Sequence, residues 1–196
     1  MANQDENLFL WINSLAGSYP PVDWLLQLIA SDYLIPVSLV LALFAIWFAG
    51  STKTMRQNYQ IGVFVALTSM ALSSLTVLIL NQFYFRPRPF EALFDEGMLL
   101  LFYPPTDSSF PSNATAAVFG IAFSVWNINR RIGLGLIIMA SIYGFARIFV
   151  GVHYPLDILG GIVISLLITL LVVKLKDLLK PLLEMVLKML KILCLA

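Results

Sequence analysis

The residues of this 196-residue chain best suited to chemistry fall in three short pieces. The first, Phe85-Arg86-Pro87-Arg88-Pro89-Phe90, carries two arginines. The second, Ser108-Ser109-Phe110-Pro111-Ser112-Asn113-Ala114, sets hydroxyls around a proline. The third runs from Ala146 to Asp157 and holds Arg147, the single histidine His153, and Asp157. Each piece suits an oxyanion. Arg88 and Arg147 can grip phosphate oxygens through paired donors held in a rigid fork. Pro111 and Ser112 read as a helix start, where free N–H groups, the positive dipole end and a hydroxyl together cradle phosphate. Pro155 fits the first turn of a helix, which sets His153 just before it and Asp157 about one turn on. A carboxylate so placed can accept the imidazole N–H and fix its tautomer, leaving the other nitrogen free to attack phosphorus. Each piece alone has a plainer reading. A membrane-edge arginine snorkels to head groups, Pro-Ser is an ordinary helix start, and a lone histidine is more often structural. Their joint occurrence is what points to chemistry.

Composition says what kind of scaffold must bring these pieces together. Hydrophobic residues make up 60% of the chain and charged residues 12%, against about half and about a quarter in a soluble domain. The excess comes in long blocks, the signature of bilayer-spanning helices. Four blocks, residues 34–48, 61–80, 132–150 and 158–173, each lie near or slightly under the ~20 residues that cross a bilayer. A fifth, 112–126, is rich in small residues, which suits a helix packed inside a bundle. Segment 22–30, bracketed by Asp23 and Asp32, is too short to cross alone and reads as interfacial or as a short first helix. The expected fold is an all-α integral membrane protein: a bundle of five to six transmembrane helices with a C-terminal amphipathic helix. No repeat or low-complexity linker divides residues 1–196, so one domain is expected. Within it, 1–31 form the N-terminal interfacial or short first helix and 32–173 the bundle. Residues 174–196, with Leu and Met at helical spacing and lysines between, form a cytoplasmic tail lying on the inner leaflet.

Charge placement orients the spans. Lys53, Arg56, Arg130, Arg131, Lys174, Lys176, Lys180, Lys188 and Lys191 fall on one side if the five segments alternate. Arg86, Arg88 and Arg147 fall on the other. A bias of nine to three puts the larger group in the cytoplasm and the three pieces outside. The expectation is a multi-pass protein of the plasma (inner) membrane with an outward-facing site. A net charge of +1 provides no basic field for nucleic acid. The single cysteine, Cys194, excludes an internal disulfide and a cysteine-based metal cluster. No basic stretch precedes the first apolar residues, so a cleaved signal peptide is not expected.

Arg147, His153 and Asp157, with five and three residues between them, resemble the third signature of the phosphatidic acid phosphatase type 2 superfamily. Arg88-Pro89 resembles the end of its first signature and Pro111-Ser112 the start of its second. The likeness covers roughly Asn81 to Gly161. Within the superfamily, RPRPF followed by SFPS and ATAA looks most like bacterial undecaprenyl diphosphate phosphatases. Those enzymes remove one phosphate from a polyprenyl diphosphate carrier at the outer face of the plasma membrane. The resemblance implies that His153 is the nucleophile, forming a phosphohistidine that water hydrolyses, and that Asp157 orients it. It implies that Arg88, Ser112 and Arg147 hold the phosphoryl group, helped by the backbone N–H groups of Asn113 and Ala114. No metal and no cofactor are implied, because the arginines act as charge stabilisers. The implied partner is a membrane lipid, a polyprenyl diphosphate or another lipid phosphate. The residues do not set the oligomeric state.

The chain departs from the family's pattern at three positions. Asn81 stands where the first signature opens with a lysine, and Ala146 where a serine usually precedes the arginine. Ala114 stands where the second signature carries a histidine, the general acid for the departing group. Expelling an alkoxide needs a proton, since the parent alcohol is about as weak an acid as water, pKa ~16. General acid catalysis contributes about 10²–10⁴-fold. A phosphate monoester leaving a diphosphate is easier to expel, with a second pKa of roughly 6. The expected activity is therefore on lipid diphosphates. The alternative is a catalytically impaired relative that binds or translocates a phospholipid head group. Glu91, Asp95, Glu96 and Asp107 offer a replacement acid, against their plainer reading as solvated loop residues. The apolar stretch 98–103 of the same loop is expected to guide a lipid tail.

Overall fold

The structure, a computed structural model, describes residues 2–192. Cys194 lies outside the described residues, as do the side chains of Lys180, Lys188 and Lys191. The helices in chain order are α1 (Ala2–Asn13), α2 (Pro20–Ala30), α3 (Leu34–Phe48), α4 (Lys53–Phe83), α5 (Pro89–Ala92), α6 (Asn113–Ile128), α7 (Arg130–Phe149) and α8 (Pro155–Ile192). A single 3₁₀ turn, Phe94–Glu96, follows α5. The expected all-α membrane architecture is the observed one.

Among the described residues, three segments are long and apolar enough to cross a membrane: α4, α7 and Pro155–Lys176 of α8. α2 and α3, bent by 51° where they meet, make a fourth when counted as one broken span. Segment 22–30 lies within α2, the first arm of this bent pair. α6 is shorter, at 16 residues, and sits in the middle against α4, α7 and α8. Its small residues explain the position. A Cβ on Gly120 would meet the Met70 Cα at 3.1 Å, so the α4 and α6 backbones run nearly in contact. α8 continues without a break past Pro181 to Ile192, so bundle and tail share one helix.

Local chemistry sets the helix ends. Thr52 Oγ1 accepts from the Met55 N–H at 3.2 Å and starts α4. Asn129 Oδ1 accepts from the N–H groups of Arg131 and Ile132, at 3.0 and 3.2 Å, and starts α7. Asn129 alone separates α6 from α7, so these two helices run antiparallel. The connectivity brings the end of α4, the start of α6, the end of α7 and the start of α8 to one end of the bundle. Lys53, Arg56, Arg130 and Arg131 belong to the other end. α1 lies across the first of these ends, packed on α7 and α8. Asn13 Nδ2 donates to the Leu99 and Phe149 carbonyls at 2.8 and 2.9 Å, and Asn13 Oδ1 accepts from the Leu99 N–H at 2.7 Å. Phe9, buried on the same helix, meets the Tyr154 ring edge-on at 5.5 Å.

Candidate active site

The three sequence pieces converge at the end of the bundle that α1 crosses. Ser112 caps α6, its Oγ accepting from the Thr115 N–H at 3.4 Å and from Thr115 Oγ1 at 3.0 Å. The Ser112 N–H donates to the Asp157 carbonyl at 3.1 Å, which ties the start of α6 to the first turn of α8. Gly161 permits this approach, since a Cβ there would meet the Ser112 carbonyl oxygen at 2.7 Å. Between α7 and α8 the chain turns through Gly151 at φ +91, in the left-handed region that favours glycine. That turn delivers His153.

His153 is 2% exposed. Its Nδ1 lies 3.0 Å from the Ser109 carbonyl, which only accepts, so Nδ1 carries the hydrogen and Nε2 the lone pair. Nε2 faces Ser112 Oγ at 3.2 Å and Arg88 Nη1 at 3.4 Å. Asp157 Oδ2 is 3.5 Å from Nδ1, so the carbonyl is the nearer acceptor and the carboxylate stands behind it. Asp157 is already engaged. Its carboxylate accepts from Ser109 Oγ at 2.5 Å, the Tyr154 N–H at 2.8 Å and Arg86 Nη1 at 2.7 Å. Burial pulls the His153 pKa down to about 4, against the pull of Asp157 and with Arg147 and Arg88 adding to the drop. At neutral pH the ring is an uncharged base.

Both arginines reach the site and both are paired within the protein. Arg88 Nη2 donates to Asp107 Oδ1 at 2.7 Å, Nε to the Asp107 carbonyl at 2.9 Å and Nη1 to the Val152 carbonyl at 2.8 Å. Burial lowers the pKa of Arg88, and Asp107 offsets part of that cost. Arg147 Nη1 donates to Asp32 Oδ1 at 2.8 Å, Tyr143 Oη at 3.1 Å and the Ala30 carbonyl at 3.2 Å. Its Nε is buried without a partner. A cavity of about 260 Å³ lies between these groups, lined by Arg88, Arg147, His153, Asn113, Ala114, Asp32, Tyr103, Pro105 and Asp107. Asn113 and Ala114 occupy the first helical positions of α6, whose N–H groups have no acceptor inside the helix. The Asp107 and Asp32 side chains are 60% and 41% exposed, so the anions facing the buried arginines sit toward solvent. A phosphate entering the cavity offers the same oxygens to the same guanidinium groups.

Of the four loop acids, Asp107 alone lines this cavity. Glu91 accepts from the Arg88 N–H at 3.1 Å, while Asp95 and Glu96 sit exposed on the 3₁₀ turn. Asn81, in the last turn of α4, has a buried amide oxygen without a partner and does not line the cavity.

Several participants have roles that the sequence alone does not assign. Arg86 joins Asp157 to Asp5 of α1, donating through Nη2 to Asp5 Oδ2 at 2.7 Å, and its guanidinium lies 3.9 Å above the Tyr154 ring. Asp5 Oδ1 also accepts from the Leu156 N–H at 2.9 Å. Asp32, which marks only a segment boundary in sequence, binds Arg147 and accepts from Tyr103 Oη. That bond, with burial, pushes the Tyr103 phenol up to about 12. Arg86 could have been found from its place two residues before Arg88. Tyr103 ends the apolar stretch 98–103, but nothing in the sequence marks its bond to Asp32, and nothing marks Asp5.

With this geometry in hand, the relatives fall into place. The chain is 32% identical over 160 residues to undecaprenyl-diphosphatase BcrC of Bacillus subtilis (strain 168), covering 82% of this chain and 78% of that one. Its fold is similar to the crystal structure of Aquifex aeolicus LpxE, with a TM-score of 0.64 and 28% identity, covering 86% of this chain and 93% of the other. It is also similar to a transmembrane PAP2-type phosphatidylglycerolphosphate phosphatase from Bacillus subtilis, at a TM-score of 0.65 and 19% identity, covering 90% and 86% of the two chains. The family model of the PAP2 superfamily matches residues 62–180, a stretch that contains all three pieces and the whole of α6 and α7. The chain belongs to the PAP2 superfamily.

Proposed function

We propose that this protein is a membrane lipid phosphatase that removes the terminal phosphate of a polyprenyl diphosphate of the undecaprenyl type. The observation that carries this is a buried, neutral His153 whose Nε2 faces a phosphate-sized cavity between two buried arginines. Nε2 attacks the terminal phosphorus. The N–P bond forms as the bond to the bridging oxygen breaks, and the electron pair leaves with the polyprenyl phosphate. Water then attacks the phosphohistidine, releasing phosphate and restoring the imidazole. Arg88, Arg147, Ser112 and the N–H groups of Asn113 and Ala114 hold the transferring group. The similarity to an undecaprenyl-diphosphatase supports this substrate class.

Ala114 supports the preference for a diphosphate. No histidine acid stands at that position, and a leaving phosphate with a pKa of roughly 6 needs none. A second cavity, about 540 Å³ and lined by Trp24, Gln27, Leu28 and residues 100–103, shares Tyr103 with the phosphate cavity. Leu28, Leu100, Leu101 and Phe102 in its lining support it as the seat of the first units of the lipid tail. The bias of nine cationic residues to three supports a site at the outer face of the plasma membrane.

The test is phosphate release from undecaprenyl diphosphate by purified protein beside a His153→Ala control. Release that disappears in the control is the expected result. Faster release from phosphatidic acid than from the diphosphate would sink the substrate preference. No release from wild type, with lipid binding retained, would leave a phospholipid-binding relative instead.

A further inference from the structure

Arg86 holds together two buried carboxylates from distant parts of the sequence. The Asp5 side chain is 1% exposed and the Asp157 side chain 0%, each 2.7 Å from a different nitrogen of the same guanidinium. Both Asp5 oxygens are used, one by Arg86 and one by the Leu156 N–H in the first turn of α8. A buried carboxylate is costly to keep, and a single pairing in this position would have been satisfied by Asp157 alone. The second carboxylate changes the charge. Arg86 and Asp157 together are neutral, whereas the row Asp5, Arg86, Asp157 carries one net negative charge.

That charge bears on the reaction of His153. When Nε2 takes the phosphoryl group, the ring still holds the Nδ1 hydrogen, so it becomes positively charged as the bridging P–O bond breaks. Arg88 and Arg147, the cations that serve the phosphate, disfavour a positive ring. Asp157 favours it, and only to the extent that Arg86 does not cancel its charge. We propose that Asp5 is a positioning residue for phosphoryl transfer: by sharing Arg86 it leaves Asp157 its negative charge behind His153. α1 is held in place to do this, with Asp5 fixed near one end and Asn13 fixed at the other by three hydrogen bonds. The inference rests on the reading of His153 as the nucleophile.

The experiment compares wild type with Asp5→Asn, Arg86→Gln, the double variant Asp5→Asn/Arg86→Gln, and His153→Ala. Turnover of a polyprenyl diphosphate and trapped phosphoenzyme are measured for full-length protein in detergent. Asp5→Asn lowers kcat and phosphoenzyme formation about tenfold, with KM within about twofold of wild type. The double variant regains most of the lost kcat, because it restores one net negative charge, with Asn isosteric with Asp5 and Gln a shorter neutral replacement for Arg86. A purely structural pair predicts the opposite, a double variant at least as impaired as the worse single one. That result overturns the inference, as does a wild-type kcat in Asp5→Asn beside an inactive His153→Ala. If Asp5→Asn does not fold, the double variant decides alone: kcat within about threefold of wild type supports the proposal, and a loss beyond about tenfold overturns it. Activity that survives His153→Ala, or is missing from wild type, overturns the nucleophile reading and this inference with it.

Discussion

His153 is held as a neutral base because burial outweighs the nearby carboxylate. Its pKa of about 4 against an ordinary 6.5 gives two measurable consequences. The acid limb of kcat/KM that belongs to the enzyme falls near pH 4, and a profile with its enzyme limb near 6.5 would contradict this geometry. For stability the sign is set by proton binding: between these values the unfolded chain binds the proton and the folded chain does not. The fold therefore loses stability as pH drops from about 6.5 to about 4. Thermal unfolding in detergent across that window shows the loss, and His153→Asn flattens it. Asp107 is the other residue to test. Its contact with Arg88 is half open to solvent, so removing its charge strengthens inhibition by inorganic phosphate only roughly two- to fivefold in Asp107→Asn. That Arg88, Ser112, Arg147, His153 and Asp157 would gather at one end of the bundle was legible because they sit in short pieces with characteristic spacing. Their partners were not. Asp32, Asp5 and the Ser109 carbonyl are selected by three-dimensional proximity, which no local pattern encodes.

At the scale of the helices, what the apolar blocks could and could not mark is clear from α4. Its block begins at residue 61, yet the helix begins at Lys53, because a polar first turn needs only a cap and water for its backbone. α3 coincides with its block, 34–48, since Tyr33 and the proline in its first turn leave little room for extension. α1 carries only a short apolar run, residues 8–12, far too short to mark a span. Its helix is held by Asn13, Phe9 and Asp5, contacts made with residues far along the chain. Element packing makes its own prediction at Gly161. A side chain there pushes α8 from the start of α6 and separates His153 from Ser112. Gly161→Val therefore loses at least about 10²-fold in kcat while still inserting in the membrane, as read by turnover beside membrane fractionation. Asn129→Ala, at the opposite end, costs about 1 kcal/mol of stability and leaves turnover intact, measured by thermal unfolding.

For the molecule as a whole, the orientation can be checked directly. In a Cys194→Ser background, Glu96→Cys on the exposed 3₁₀ turn reacts with an impermeant thiol reagent added to intact cells. Arg131→Cys in the same background reacts only after lysis; the reverse pattern would invert the topology. The all-helical bundle was legible from hydropathy because a bilayer forces backbone hydrogen bonds inside each segment. The bend of α2 against α3 was not, since it depends on how the short arm packs on α7. One contact also carries a consequence for biosynthesis. The bond from the Leu156 N–H to Asp5 spans 151 residues, and the α1 anchor at Phe149 spans 136. α1 can meet Arg86 and Leu99 before these, but its anchors at Phe149 and Leu156 wait for the turn between α7 and α8. The full set of α1 contacts therefore closes only once the first turn of α8 has formed, whatever part of the bundle is already in the membrane.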